Sequence, residues 1–126
     1  MNSQGLIETA RALVAGDRGL LAMDESNPTC NKRFARLRIP QTEEARRAYR
    51  EMIVTTSDLS ECISGAILYD VTIRQRKTDG TSFVRVITDA GIIPCIKVDT
   101  GAKDMADHPG EKITEGLDGL HERLEE

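Results

Sequence analysis

The chain has 126 residues, 17 basic and 21 acidic, for a formal net charge of −4, and 39% of its residues are hydrophobic. That balance describes a globular chain rather than a disordered one, and the acidic excess excludes bulk nucleic-acid binding, which needs a clustered positive surface. With 3% aromatic residues and no Trp there is no stacking platform for single strands, and no run approaches the roughly 18–20 apolar residues that cross a bilayer.

Leu6, Ile7, Ala10, Leu13 and Val14 recur at helical spacing, which predicts an amphipathic helix over 4–15 ended by Gly16. Leu20-Leu21-Ala22-Met23 reads as a strand buried on both faces, stopped by Asp24-Glu25-Ser26. A polar loop through Asn27 and Pro28 then leads into a helix with Phe34 and Leu37 inward. Thr42 is placed to cap the next helix, with Glu43 and Glu44 in its first turn. Ala45, Ala48, Tyr49, Met52 and Ile53 mark its inward face, and Arg46, Arg47, Arg50 and Glu51 a solvated face with local ion pairs.

Residues 63–69 are the second buried strand, followed at once by Asp70. Residues 74–82 read as a charged, solvated turn around Asp79-Gly80, with a local anion site as the alternative. Phe83, Val86, Ile87 and Ala90 form a helical face closed by Gly91, and residues 92–98 form the third strand. Residues 100–112 read as a Gly- and Asp-rich loop, and Leu117, Leu120 and Leu124 begin a last helix. Apolar runs of strand length alternating with helical patterns predict parallel βα units. The last helical pattern runs into Glu125-Glu126 without a stop signal, and acidic residues there oppose the helix dipole. The expectation is therefore a helix interrupted mid-course and a chain that is the front part of a longer one.

Cys30, Cys62 and Cys95 are odd in number and form no C-x-x-C pair, which points to a reducing compartment, the cytoplasm. Met1 to Gly5 carries no basic, apolar leader of the secretory kind. Cys62 and Cys95 read as core residues. Cys30 has Lys32 and Arg33 nearby, which favour a thiolate, but no His close in sequence to activate it.

In parallel α/β folds ligands bind at the carboxyl ends of the strands. Those ends carry Asp24-Glu25-Ser26, Asp70, and Lys97 with Asp99. An ammonium and a carboxylate brought together there tune each other and share proton-transfer work; a purely structural ion pair of Asp24 with Lys97 is the alternative. Ser26, Thr29, Lys32 and Arg33 surround a helix start, and hydroxyls, free amides and cations are what a phosphate dianion requires. No metal-ligand spacing occurs; His108 and His121 read as surface groups, and neither a metal nor an organic cofactor is expected.

The run from Gly19 to Asn27 (GLLAMDESN), followed by Cys30-x-Lys32-Arg33, resembles the first strand and loop of class I fructose-bisphosphate aldolase. Residues 63–69 (ISGAILY), Ile96-Lys97-Val98-Asp99 and residues 116–120 (GLDGL) extend the resemblance in the family's order across nearly the whole chain, closest to bacterial and plastid-type members. It implies a (β/α)8 barrel of the TIM type, here an incomplete barrel of about three βα units, with residues 1–126 as the N-terminal part of a single domain. It implies cleavage of fructose 1,6-bisphosphate through a lysine Schiff base, giving dihydroxyacetone phosphate and glyceraldehyde 3-phosphate. Asp24 would assist proton transfer, Lys97 would neutralise negative charge and orient substrate, and Ser26, Thr29, Lys32 and Arg33 would bind substrate phosphate. The family's Schiff-base lysine would lie beyond Glu126, so the 126 residues alone are expected to be inactive, with a sugar phosphate as ligand and a homo-oligomer as the full-length state. Two competing expectations are a non-catalytic partial-barrel module that associates through open strand edges, and a simple sugar-phosphate binder.

Overall fold

The computed structural model describes residues 3–125, in two compact units that divide between Ile96 and Lys97. The first unit runs α1 (Ser3–Leu13), β1 (Gly19–Met23), α2 (Asn27–Arg36), α3 (Glu43–Val54), α4 (Leu59–Cys62), β2 (Ile63–Leu68), α5 (Asp70–Arg74), α6 (Phe83–Asp89) and β3 (Ile93–Ile96). Its strands form one parallel sheet in the order β1-β2-β3. The expected alternation of strand and helix is therefore present, as three parallel strands without barrel closure.

Register decides which side chains share a face. Met23 pairs with Leu68 and Leu68 with Ile96, while Ala22 pairs with Ile67 and Ile67 with Cys95. The face of Met23, Ala66 and Leu68 is the core, closed by Val54, Phe83, Ile87 and Ile92. Phe83 and Leu68 are wholly buried there. Ser82 caps α6 by accepting from the Arg85 amide, which sets Phe83 and Ile87 one turn apart on the inward side.

The opposite face is open on β1. Leu20 is 49% exposed and Ala22 is exposed, so β1 is covered on one face only, contrary to the continuous apolar reading. The alternation Leu20, Ala22 against Leu21, Met23 is hidden in sequence because all four residues are apolar. Helix α1 forms where expected but has no buried residue, and Leu6 and Ile7 are solvent-exposed. Its anchor is Leu13, whose side chain lies over Gly65 and whose carbonyl accepts from the buried Ser64 hydroxyl at 2.5 Å.

Three helix readings are corrected. Asn27 and Pro28 are not loop but the first turn of α2, where proline's missing N–H costs no hydrogen bond. Leu37 ends that helix 70% exposed, although Phe34 is buried as expected. On α3 the expected faces are rotated: Met52 is 63% exposed and Ala48 exposed, while Arg50 is buried beside Val54. Leu37 and Met52 instead line an apolar cavity of about 300 Å³ with Cys30, Phe34, Ile39 and Tyr49. Cys62 is exposed at the end of α4 rather than in the core, and Cys95 is half-buried.

The second unit is built from β4 (Gly101–Asp104), β5 (Lys112–Glu115) and α7 (Leu120–Glu125). The stretch expected to be loop is an antiparallel hairpin, with Gly101 opposite Glu115 and Asp104 opposite Lys112. No residue of β5 is buried, so the hairpin has no apolar stripe for a sequence pattern to register. Cross-strand ion pairs flank it, Lys112 with Asp104 at 2.6 Å and Lys103 with Glu115 at 3.6 Å. Leu117 stands outside α7 and is 85% exposed.

Candidate functional site

The site begins where β1 ends. Asp24 follows Met23 and continues the alternation of Leu20 and Ala22, half-buried at the carboxyl end of the strand. Ser26 is extended and caps α2: its Oγ accepts from the Thr29 amide at 3.4 Å and lies 3.1 Å from Thr29 Oγ1. Two of the expected phosphate-binding hydroxyls thus meet at the N-terminus of a ten-residue helix. Arg33, one face further along α2, pairs with the Glu25 carboxylate, its own side chain 58% exposed. Lys32, its neighbour on α2, is exposed.

Glu25 is the hub. Its Oε1 accepts from Arg33 and its Oε2 from Arg50 Nη1 at 2.5 Å, while Arg50 Nη2 reaches its main-chain carbonyl at 2.9 Å. The same Nη2 lies 3.4 Å from the buried Cys30 sulfur. Arg50 also stands over the Tyr49 ring at 5.2 Å, and Tyr49 meets Phe34 edge to face at 5.6 Å. Burial pushes the Glu25 carboxyl upward, but the hydrogen bond from Arg50 and the charges of Arg50 and Arg33 outweigh it and hold Glu25 below its ordinary value. Burial pushes the Cys30 thiol up despite the adjacent Arg50, which works against the thiolate form.

Neither Glu25 nor Arg50 had a role in the sequence-based site. Glu25 is one of two consecutive acids, and Arg50 belongs to a helix rich in Arg and Glu, a composition that otherwise marks a solvated face. Only the 25-residue separation closed by the fold reveals the pair.

In the second unit Lys97 hydrogen-bonds Asp99, and Asp99 also accepts from the Gly101 amide at 3.0 Å. The hydrogen bond from Lys97 outweighs the cost of desolvation and keeps Asp99 ionised below its usual range. Arg123 on α7 donates to the Val98 carbonyl at 3.2 Å and to that of Gly116 at 2.6 Å, fixing the residue between Lys97 and Asp99.

The alternative anion site at 74–82 has its charges engaged locally. Arg74 pairs with Asp70 at 3.2 Å, Lys77 with Asp79 at 2.7 Å, and Arg76 donates to the Gly80 carbonyl at 2.9 Å. Among the described residues no cluster of three His, Cys, Asp or Glu side chains could hold a metal, and no helix is long and apolar enough to cross a membrane.

A parallel α/β sheet whose first strand ends in a carboxylate, with two hydroxyls at the following helix start and an arginine held by a carboxylate, gathers its polar groups at the strand carboxyl end, where parallel α/β folds carry their ligands. The family model for class-I fructose-bisphosphate aldolase matches residues 5–126, and the chain belongs to that family. It is 56% identical over 126 residues to a probable fructose-bisphosphate aldolase class 1 of Xanthomonas campestris, spanning all of this chain and 38% of that one. Fructose-bisphosphate aldolase 3, chloroplastic, of Arabidopsis thaliana is 44% identical over 124 residues, 98% of this chain and 32% of the relative. A Plasmodium falciparum fructose-bisphosphate aldolase, solved in complex with TRAP and a small-molecule inhibitor, superposes with a TM-score of 0.91 at 42% identity, covering 95% of this chain and 35% of that one. The chain thus spans well under half the length of the relatives it matches.

Proposed function

We propose that these residues form the N-terminal part of a class I aldolase barrel and supply strand-end groups to the cleavage of fructose 1,6-bisphosphate. The observation that carries this reading is the β1–α2 junction that follows Asp24, where the Ser26 and Thr29 hydroxyls meet and Glu25 holds Arg33, in a chain of the aldolase family. The bond to be broken lies between C3 and C4 of the open-chain ketose. In the family's chemistry a lysine forms a Schiff base with the C2 carbonyl, which accepts the electrons released as the C4 hydroxyl loses its proton. No Lys of this chain matches that lysine's motif, so the 126 residues alone have no aldol activity in this reading. Asp24 aligns the reacting hydroxyl and moves its proton. Lys97, held by Asp99, offsets negative charge on the substrate. Ser26, Thr29, Lys32 and Arg33 take a phosphate group, through two hydroxyls at the start of α2 and two cations. The substrate is a soluble sugar phosphate, the setting the cytoplasm, and the complete protein a homo-oligomer.

The test is a chimera in which this chain replaces the matching segment of the Xanthomonas campestris relative. Cleavage of fructose 1,6-bisphosphate is expected, with Asp24→Asn and Lys97→Met each lowering kcat/KM by about 10²-fold or more. A folded chimera without cleavage, or with both variants fully active, would overturn the reading.

A second reading, an association module, is favoured by the open face of β1, with Leu20 49% exposed and Ala22 beside it. Analytical ultracentrifugation of the 126-residue chain tests it: a monomer that withstands dilution counts against association, and a tight oligomer that Leu20→Glu disperses supports it.

A further inference from the structure

A buried arginine is costly unless every donor is used. Arg50 is 2% exposed, and its guanidinium engages three groups of one segment: the Glu25 carboxylate, the Glu25 carbonyl and the Cys30 sulfur. Holding side chain and main chain of the same residue fixes both the rotamer of Glu25 and the peptide joining it to Ser26. The carboxylate oxygen left over holds Arg33. A single buried fork on α3 thereby sets the backbone between Asp24 and Ser26 and, through Glu25, the position of the Arg33 guanidinium. Arg46, one turn before Arg50, adds a second link from α3 to α2 by donating to Asn31 Oδ1 at 2.8 Å, and also donates to the Gln41 carbonyl at 3.1 Å.

We propose that Arg50 is a positioning residue for phosphate binding: it acts through Glu25 to hold Ser26 of the β1–α2 loop and Arg33 of α2 in place for an anion, and it does not touch the ligand itself. The proposal rests on the phosphate-binding reading of that loop and names the residue on which its geometry depends. The planar fork is the essential property, because an ammonium at the same place cannot bridge carboxylate, carbonyl and sulfur together.

The experiment is a titration of the 126-residue chain with inorganic phosphate, followed through the amide signals of residues 26–33. Wild-type chain, R50K and R33K are compared, with urea unfolding of each. Phosphate affinity is expected to fall about fivefold or more in R50K while the urea transition stays cooperative, and the Glu25 carboxyl carbon signal should move as Glu25 loses its second partner. That carboxyl signal and the affinity must change together, which a general loss of packing would not require. Wild-type affinity in R50K, with loss in R33K, overturns the positioning role and leaves the phosphate site standing. Absence of saturable shifts in the wild-type chain overturns both. If R50K does not fold, R50A with added guanidinium ion supplies the fork without its tether. Recovery of phosphate affinity with guanidinium but not ammonium supports the proposal, and equal or no recovery with the two ions overturns it.

Discussion

Gly116 lies directly against Asp99: a β-carbon built on Gly116 would stand 2.7 Å from Asp99 Cα and 2.7 Å from the Val98 carbonyl oxygen. Both obstacles are backbone, which cannot swing aside as a side-chain tip can. Gly116→Ala is expected to cost about 1–3 kcal/mol as an overpacked contact. The shift should concentrate at Val98, Asp99 and Gly101, whose amide donates to Asp99. Urea unfolding and the amide spectrum together check this, and a silent substitution would show that the two segments separate freely.

Acid should loosen the first unit through Glu25. Its carboxyl is held below the ordinary value of 4.5 by Arg50 and Arg33 against the opposing effect of burial. A depressed folded-state value means the stabilisation is fully present above about pH 4.5 and is lost as pH falls through the folded value. Glu25→Gln leaves Arg50 without its counter-charge and is expected to be about 3 kcal/mol less stable at pH 7. That gap should narrow below pH 4.5, measured by urea midpoints across the acid range. A gap independent of pH would contradict the ion pair.

The thiols should react in a fixed order. Cys62 is exposed, whereas Cys30 is buried with its thiol pushed up by burial. Iodoacetamide at pH 8 is expected to label Cys62 at least about tenfold faster than Cys30, read by peptide mass spectrometry. Equal rates would mean that the α2–α3 packing opens readily.

Phe83→Ala should be the most damaging simple truncation, because Phe83 is wholly buried and sits where α6 meets the core face of the sheet. A loss of about 3–5 kcal/mol is expected, seen as a lower urea midpoint. Leu37→Ala, at a side chain 70% exposed, should change stability by no more than about 0.5 kcal/mol.

Local pattern was enough for the elements that touch the core continuously. The strands at Leu20–Met23 and Ile63–Leu68, the Thr42 cap and the Phe83–Ile87 face follow from spacing and side-chain chemistry, whereas Ser82, a cap in the fold, reads in sequence as part of a solvated turn. The residue runs around Asp24 and Lys97 also carry the family, which the match over residues 5–126 shows. Tertiary structure alone decided which face of α3 turns inward. Arg50 is buried because Glu25 and Cys30 offer it a charge, a carbonyl and a sulfur, partners that lie 25 and 20 residues away and leave no trace in helical periodicity. The same holds for the 101–115 hairpin, whose strands are joined by backbone bonds and exposed ion pairs rather than by an apolar stripe. Sequence marks which segments are apolar enough to reach the core, but which of their side chains are covered depends on what packs against them, as exposed Leu20, Leu37 and Met52 show; where a polar group is buried, the fold must first bring its partner.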